Sequence, residues 1–455
     1  MPDRIPWRWM FLLAAPASLV AVLQLGRLHP DEVYQALEPA YFRVHGYGIL
    51  AWEWRDGIRN WALPLALAAL LKLCDVVQIS NPRVYRAVLE LPQLALHAWA
   101  LGAAYRFARR RLDGERSALL ATALIALWGM TLAFAGRTLG ESISASFLLV
   151  AFEALDREED DARAGALGGL ALGLAVVARY GSAVFVLAGL ASLALRRRWR
   201  ALGAAVGAGA VVAAGLAALD WATWGRPLHS LLAYADFNVL SGRGAQTFGA
   251  APPGFYAWPL FALTPLWVWP GLWLAASRER FRLSVPAAAA VLYVLAVAVT
   301  AHKESRFLYP AQALLALAAA PAFTRWALER APRRREGLLA AAFASGLGLF
   351  VLPPPDLADF RGDQFRAIVR AVRDPQASGL LIVGDGIWGV GGYFYVGKRI
   401  PWTVADSPQD RSFQDAVRAP QFNRAVTIEG HALAELQQAG FRITGQEGRE
   451  TILAR

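Results

Sequence analysis

The chain has 455 residues, 56% hydrophobic and 18% charged, with a formal net charge of +11 and a mean hydropathy of +0.35. Soluble domains carry about 25% charged residues, and the apolar residues here arrive in long blocks, so the composition excludes an ordinary soluble protein. The basic balance does not indicate nucleic acid: the arginines cluster between apolar blocks, where they orient helices and meet anionic headgroups, and the single cysteine, Cys74, excludes an intrachain disulfide or a cysteine-rich zinc site.

Arg4 and Arg8 precede the first apolar run, 9–26. No small-residue cleavage site with a polar start follows it, so the run reads as a retained span with a cytoplasmic N-terminus. Residues 27–61 form a loop dense in polar and aromatic groups. The run 62–79, with Pro64, Lys72 and Asp75, is followed by candidate spans at 84–105, 117–135, 138–155, 165–178, 181–195, 201–220, 257–276, 285–301, 308–324 and 337–352. The arginine-rich connectors 106–116, 196–200, 277–283 and 325–335 all fall on the cytoplasmic side if 62–79 lies along the membrane as a juxtamembrane helix. That gives about 11 crossings. The acidic connector 156–163 is then cytoplasmic too, and 27–61, Arg137, 221–256 and 302–307 are outside.

Beyond Pro353-Pro354-Pro355 the composition turns polar. Residues 353–455 read as a small extracytoplasmic α/β domain behind a membrane domain, 1–352. An amphipathic helix at 360–373 turns Phe365, Ile368, Val369 and Val372 to one face. Strands follow at 379–384, 392–396 and 424–428, with a helix at 430–439. Gly384 to Gly389 match the spacing of a dinucleotide loop, but a turn and strand are expected after them instead of the helix that fingerprint requires.

Three constellations carry chemistry. His29-Pro30-Asp31-Glu32 places two acids at a membrane exit; it reads either as a capped helix start or as a functional carboxylate pair. Trp52-Glu53-Trp54-Arg55 is either an interfacial aromatic belt or a sugar-binding surface that alternates flat apolar rings with charges. His302-Lys303-Glu304-Ser305-Arg306 crowds charge into a short outer turn. Arginine grips a phosphate bidentately and lysine serves as a point charge, so anion binding is favoured there over snorkelling.

Together, HPDE, Glu38-Pro39, Gly46-Tyr47-Gly48 and WEWR after the first span, with HKESRF late in the chain, resemble glycosyltransferase family 22. These are the GT-C mannosyltransferases of the N-glycan and GPI-anchor type. Gly136-Arg137-Thr138-Leu139 and the stretch from Phe237-Asn238 to Tyr256 are weaker echoes. The resemblance implies a GT-C-like, α-helical polytopic membrane protein that moves mannose, with inversion, from a polyprenyl-phosphate donor to a hydroxyl of a glycan or glycolipid acceptor. It implies Asp31 and Glu32 as the catalytic acids, with Asp31 the general base. It implies His302, Lys303, Arg306, Arg179 and Arg137 for the donor phosphate, and His29, Trp52, Glu53, Trp54, Arg55, Glu304 and Asn238 around sugar and acceptor. No metal or other cofactor and no nucleic acid is expected. The Ala- and Arg-rich composition points to a bacterial inner membrane with the active face outward. The competing expectation is a transporter or flippase of a lipid-linked sugar, whose coupling charges would lie near the bilayer midplane.

Overall fold

A computed structural model describes residues 4–25, 29–278, 284–351, 362–384, 386, 390–428 and 430–455. Part of the 277–283 connector, the triple proline, and most of the Gly384–Gly389 loop lie outside them. The chain divides into two compact units: Met1–Val20, Asp56–Ala62 and Leu91–Leu357 in one, and Ala21–Arg55, Leu63–Glu90 and Ala358–Arg455 in the other.

The first unit is helical. Its centre is the helix Tyr309–Leu328, which packs against Gly140–Leu155, Val268–Arg278 and Val285–Val299. Alanine and glycine line these contacts, because helices in lipid associate by close backbone approach and not by hydrophobic expulsion from water. A Cβ on Gly271 would sit 2.8 Å from the Ala319 carbonyl oxygen. The helices Ala162–Ala178 and Trp199–Trp224 come closer still, since a Cβ on Gly165 or Gly169 would lie 2.2 and 2.1 Å from the carbonyl oxygens of Ala201 and Ala205.

Among the described residues, Trp199–Trp224 and Ser305–Leu328 are long and apolar enough to cross a membrane; Trp7–Leu23, Ala162–Ala178, Tyr180–Leu195 and Val285–Val299 are shorter apolar helices. Two expected spans are interrupted. The run 117–135 divides into Glu115–Ala126 and Gly129–Phe134, where a Cβ on Gly129 would press on the backbone N of Phe350 at 2.6 Å. The run 257–276 divides into Ala257–Ala262 and Val268–Arg278, because Pro265 lacks an N–H and its ring disfavours a helical residue before it.

The second unit holds a five-stranded sheet: β1 Leu380–Val383, β2 Trp402–Ala405, β3 Arg424–Ile428, β4 Arg442–Glu447 and β5 Glu450–Ala454, in the order β2-β1-β3-β5-β4. β1 runs parallel to β2 and β3, and β5 is antiparallel to β3 and β4. Helix Gly362–Arg373 buries Phe365, Ile368, Val369 and Val372. Its Ile368 and Val372 join Leu380, Ile382, Val426 and Ile452 in one core, while Leu381, Val383, Phe413, Leu436 and Leu453 form the core on the other face. The strand expected at 392–396 is instead the helix Gly392–Val396. Gly391 and Gly397 bracket it at φ 74° and 66°, left-handed values that only glycine adopts cheaply and that cut the aromatic run off from strand geometry. The position beside β1 goes to Trp402–Ala405.

In the same unit, residues 30–45 form a nearly continuous helix with a π-helical turn at Val33–Leu37. The segment 62–79 contains the helix Ala62–Val76, 15 residues, about 22 Å long at 1.5 Å per residue and short of the roughly 30 Å hydrocarbon core.

Candidate active site

The second unit carries the acids. His29 caps the helix that starts at Pro30: its Nδ1 accepts from the Asp31 N–H at 3.2 Å and lies 3.5 Å from Asp31 Oδ1. Proline at the first helical position and acids in the first turn suit the donors and the positive dipole end there, so the capped-helix reading of this motif is correct as local structure. The two acids then diverge. The Asp31 side chain is 22% exposed, whereas Glu32 is fully buried, 3.6 Å from Arg86, which also holds Glu90 at 3.0 Å. A buried guanidinium between two carboxylates is a brace, since losing one partner would strand a buried charge.

The WEWR segment is the short helix Trp52–Arg55. Glu53 accepts from Gln35 Nε2 at 3.1 Å. Trp54 is 2% exposed, and its indole N–H donates to the Tyr34 carbonyl at 2.9 Å. Trp54 therefore supports the helix that carries Asp31 and offers no ring face for a sugar. Trp52 is half-buried and Arg55 is exposed.

The first unit carries the cations. In the turn after the helix Val285–Val299, Arg306 chelates Glu304, with Nε to Oε2 at 2.6 Å and Nη2 to Oε1 at 3.1 Å. His302 Nε2 reaches Glu304 Oε1 at 3.0 Å, and Phe248 packs on the His302 ring at 5.0 Å between centroids. Arg306 Nη1 also lies 3.4 Å from Glu141 Oε1, and Arg179 hydrogen-bonds the same oxygen. Both guanidiniums stand over the Phe307 ring, at 4.4 Å for Arg179 and 5.3 Å for Arg306. The aromatic plate and Glu141 hold two arginines together that would otherwise repel.

Lys303 sits apart in role. The residue is 8% exposed, and its ammonium donates to the carbonyls of Ala251, at 2.6 Å, and Thr300. It pins the turn to the preceding loop, where the Ala251 N–H also donates to Ala301 at 3.0 Å. Arg137 is fully buried, with Nε on the Ala133 carbonyl at 2.9 Å, and its own carbonyl accepts from Gln93 at 3.2 Å. Asn238 lies in a π-turn, Asp236–Leu240, and donates to the Tyr234 carbonyl at 3.0 Å.

Sequence reasoning missed Glu141, Arg86 and Glu90. Glu141 stands two residues beyond the Gly136–Leu139 echo and opens the helix Gly140–Leu155, so the signal lay within reach. Arg86 and Glu90 are a helical i, i+4 pair inside an apolar run, a charge pattern that a membrane reading could have flagged.

The Alg9-like mannosyltransferase family model matches residues 7–352. GPI mannosyltransferase 3 of Yarrowia lipolytica is 32% identical over 311 residues, 65% of this chain and 58% of the relative. The Drosophila melanogaster protein of the same name is 32% identical over 145 residues, 31% of this chain and 24% of the relative. The chain thus spans 58% or less of the length of these two relatives. Among solved structures, ArnT from Cupriavidus metallidurans bound to undecaprenyl phosphate superposes with a TM-score of 0.62 at 13% identity, covering 99% of this chain and 98% of ArnT. The apo form gives 0.55, with 98% of each covered. At that identity the likeness is one of fold.

Proposed function

The chain belongs to the Alg9-like mannosyltransferase family, and on that premise we propose that it transfers mannose from a polyprenyl-phosphate-linked donor to a hydroxyl of a glycan or glycolipid acceptor. It is an integral membrane protein with the GT-C fold; its location in a bacterial inner membrane, with about 11 crossings and the site facing outward, is part of the proposal. The observation that carries the reading is the pair Arg179 and Arg306 gathered on Glu141. A lipid monophosphate leaving group needs such a grip and needs no nucleotide site.

In this mechanism the Asp31 carboxylate takes the acceptor hydroxyl proton as that oxygen attacks the anomeric carbon. The bond from that carbon to the phosphate oxygen breaks through an oxocarbenium-like state, and the phosphate departs with the electron pair, inverting the centre. Arg306 and Arg179 stabilise the charge developing on the phosphate, worth roughly 3–4 kcal/mol per donor removed in comparable sites. Glu32, locked to Arg86, orients the turn. Lys303, His302, Glu304 and Arg137 shape the cationic turn and its support, and Trp52, Glu53, Arg55 and Asn238 contribute to sugar and acceptor binding. The arginines supply the charge a divalent cation would bring, so chelation by EDTA is expected to leave the rate unchanged.

The test is transfer from synthetic polyprenyl-phosphate mannose to a panel of glycan and glycolipid acceptors in proteoliposomes. Product formation that vanishes in Asp31→Asn supports the transferase. Movement of the donor lipid across the bilayer without product would replace it with the flippase reading.

A further inference from the structure

The helix that carries Asp31 is anchored two turns later by a carboxylate, two of whose partners lie far along the chain. Glu38 is fully buried. Its Oε1 accepts from the Ile49 N–H at 2.7 Å and the Tyr393 N–H at 3.0 Å, and its Oε2 accepts from the Phe394 N–H at 2.7 Å. The last two donors open the helix Gly392–Val396. Both neighbouring glycines make room: a Cβ on Gly392, at φ 63°, would sit 2.4 Å from the Glu38 carboxylate, and one on Gly48 would sit 3.2 Å from Oε1. A second strand of contacts runs alongside. The Tyr85 hydroxyl donates to the Phe394 carbonyl, and the next residue, Arg86, is the brace on Glu32.

We propose that Glu38 is a positioning residue for the transfer reaction: by clamping the Asp31 helix to residues 392–396, it makes the C-terminal α/β segment a buttress of the catalytic base. The inference rests on the transferase reading above for its kinetic consequence, and on the three hydrogen bonds for its structural one. A base misplaced by about 1 Å loses up to roughly a hundredfold in rate, so the clamp acts on turnover and leaves donor binding alone.

Burial raises the Glu38 carboxyl from 4.5 to about 7, against the three backbone N–H groups that lower it. The groups around it are Tyr41 and Tyr47, hydrogen-bonded to each other at 2.9 Å, Tyr85 and Tyr393, with Asp75 and His45 beyond and Arg399 over the Tyr47 ring. A raised carboxyl favours the clamped state when protonated. Its contribution is fully present below 4.5 and is lost as pH rises through about 7.

The experiment measures kcat and donor KM for wild type, Glu38→Ala, Glu38→Gln and Asp31→Asn between pH ~6 and ~8, with hydrogen exchange at residues 30–45, Ile49, Tyr393 and Phe394. Glu38→Ala should lower kcat by roughly 10–100-fold with donor KM unchanged. Glu38→Gln keeps an acceptor oxygen and should restore kcat to within about tenfold of wild type, while abolishing the decline as pH rises through about 7. If Glu38→Ala fails to fold, Gly392→Ala displaces the carboxylate from the other side and should reproduce the kcat loss. Wild-type kcat in either variant, alongside inactive Asp31→Asn, overturns the clamp and spares the transferase. If wild type transfers nothing, the transferase reading falls and exchange decides: faster exchange of 30–45 in Glu38→Ala supports the anchoring, and unchanged exchange overturns it.

Discussion

A general base has to meet an acceptor hydroxyl, so a carboxylate locked inside the protein against a guanidinium is poorly suited to the task. By that criterion the neighbouring acids take different roles: Asp31 has 22% of its side chain accessible, and Glu32 has none. Asp31→Asn keeps the size and the helix start but removes the proton acceptor, and should lower turnover by roughly 10²–10⁴-fold. Near-normal turnover of folded, purified Asp31→Asn would discard the assignment. Arg306→Ala removes one arm of the proposed phosphate grip and should raise donor KM or lower donor kcat/KM by roughly 10²-fold, with acceptor KM unchanged; matched losses for both substrates in a steady-state matrix would argue against the grip. The residues of this site were partly legible because charge in an apolar chain is rare and conspicuous. Glu141 escaped notice because its importance comes from receiving Arg179 and Arg306, which stand 38 and 165 positions away in sequence. Lys303 was visible for the same reason and Trp54 as part of the aromatic WEWR run, yet the structure turns their polar groups onto backbone carbonyls.

At the scale of elements, glycine placement decides how closely helices meet. Gly165 and Gly169 put the helix Ala162–Ala178 on the backbone of Trp199–Trp224. Gly169→Leu would force these helices apart and is expected to destabilise by about 1–3 kcal/mol, read as a lower midpoint of thermal inactivation in detergent. An unchanged midpoint would mean that the helices separate without penalty. In the C-terminal segment, the amphipathic period found the helix Gly362–Arg373, and apolar runs found β1 and β3. The run Tyr393-Phe394-Tyr395-Val396 has strand composition, but its flanking glycines and the Glu38 carboxylate at its N-terminus hold it helical. The hairpin β4–β5, turning at Gly448 with φ 56°, went unread because its outer strand is polar and largely exposed, so no apolar run marks it.

Over the whole molecule, the orientation implied by the arginine clusters places residues 356–455 outside. A single cysteine at exposed Arg411 in a Cys74→Ser background should react with a membrane-impermeant maleimide on intact cells, and one at exposed Arg334 only after permeabilisation; the reverse pattern would invert the topology. The sequence by itself determined that the chain is a membrane protein, that its charged side chains gather in the HPDE and HKESRF turns, and that a polar α/β segment follows. These are local properties: apolar block length, charge sign, and residue types within a few positions of one another. Only the tertiary structure decided that Glu32 is a brace beside Arg86, that Glu141 unites two distant arginines, and that residues 392–396 cap onto Glu38 as a helix. Each of these depends on which buried charge finds which partner across long stretches of chain, and burial and pairing of that kind arise only when the chain folds back on itself.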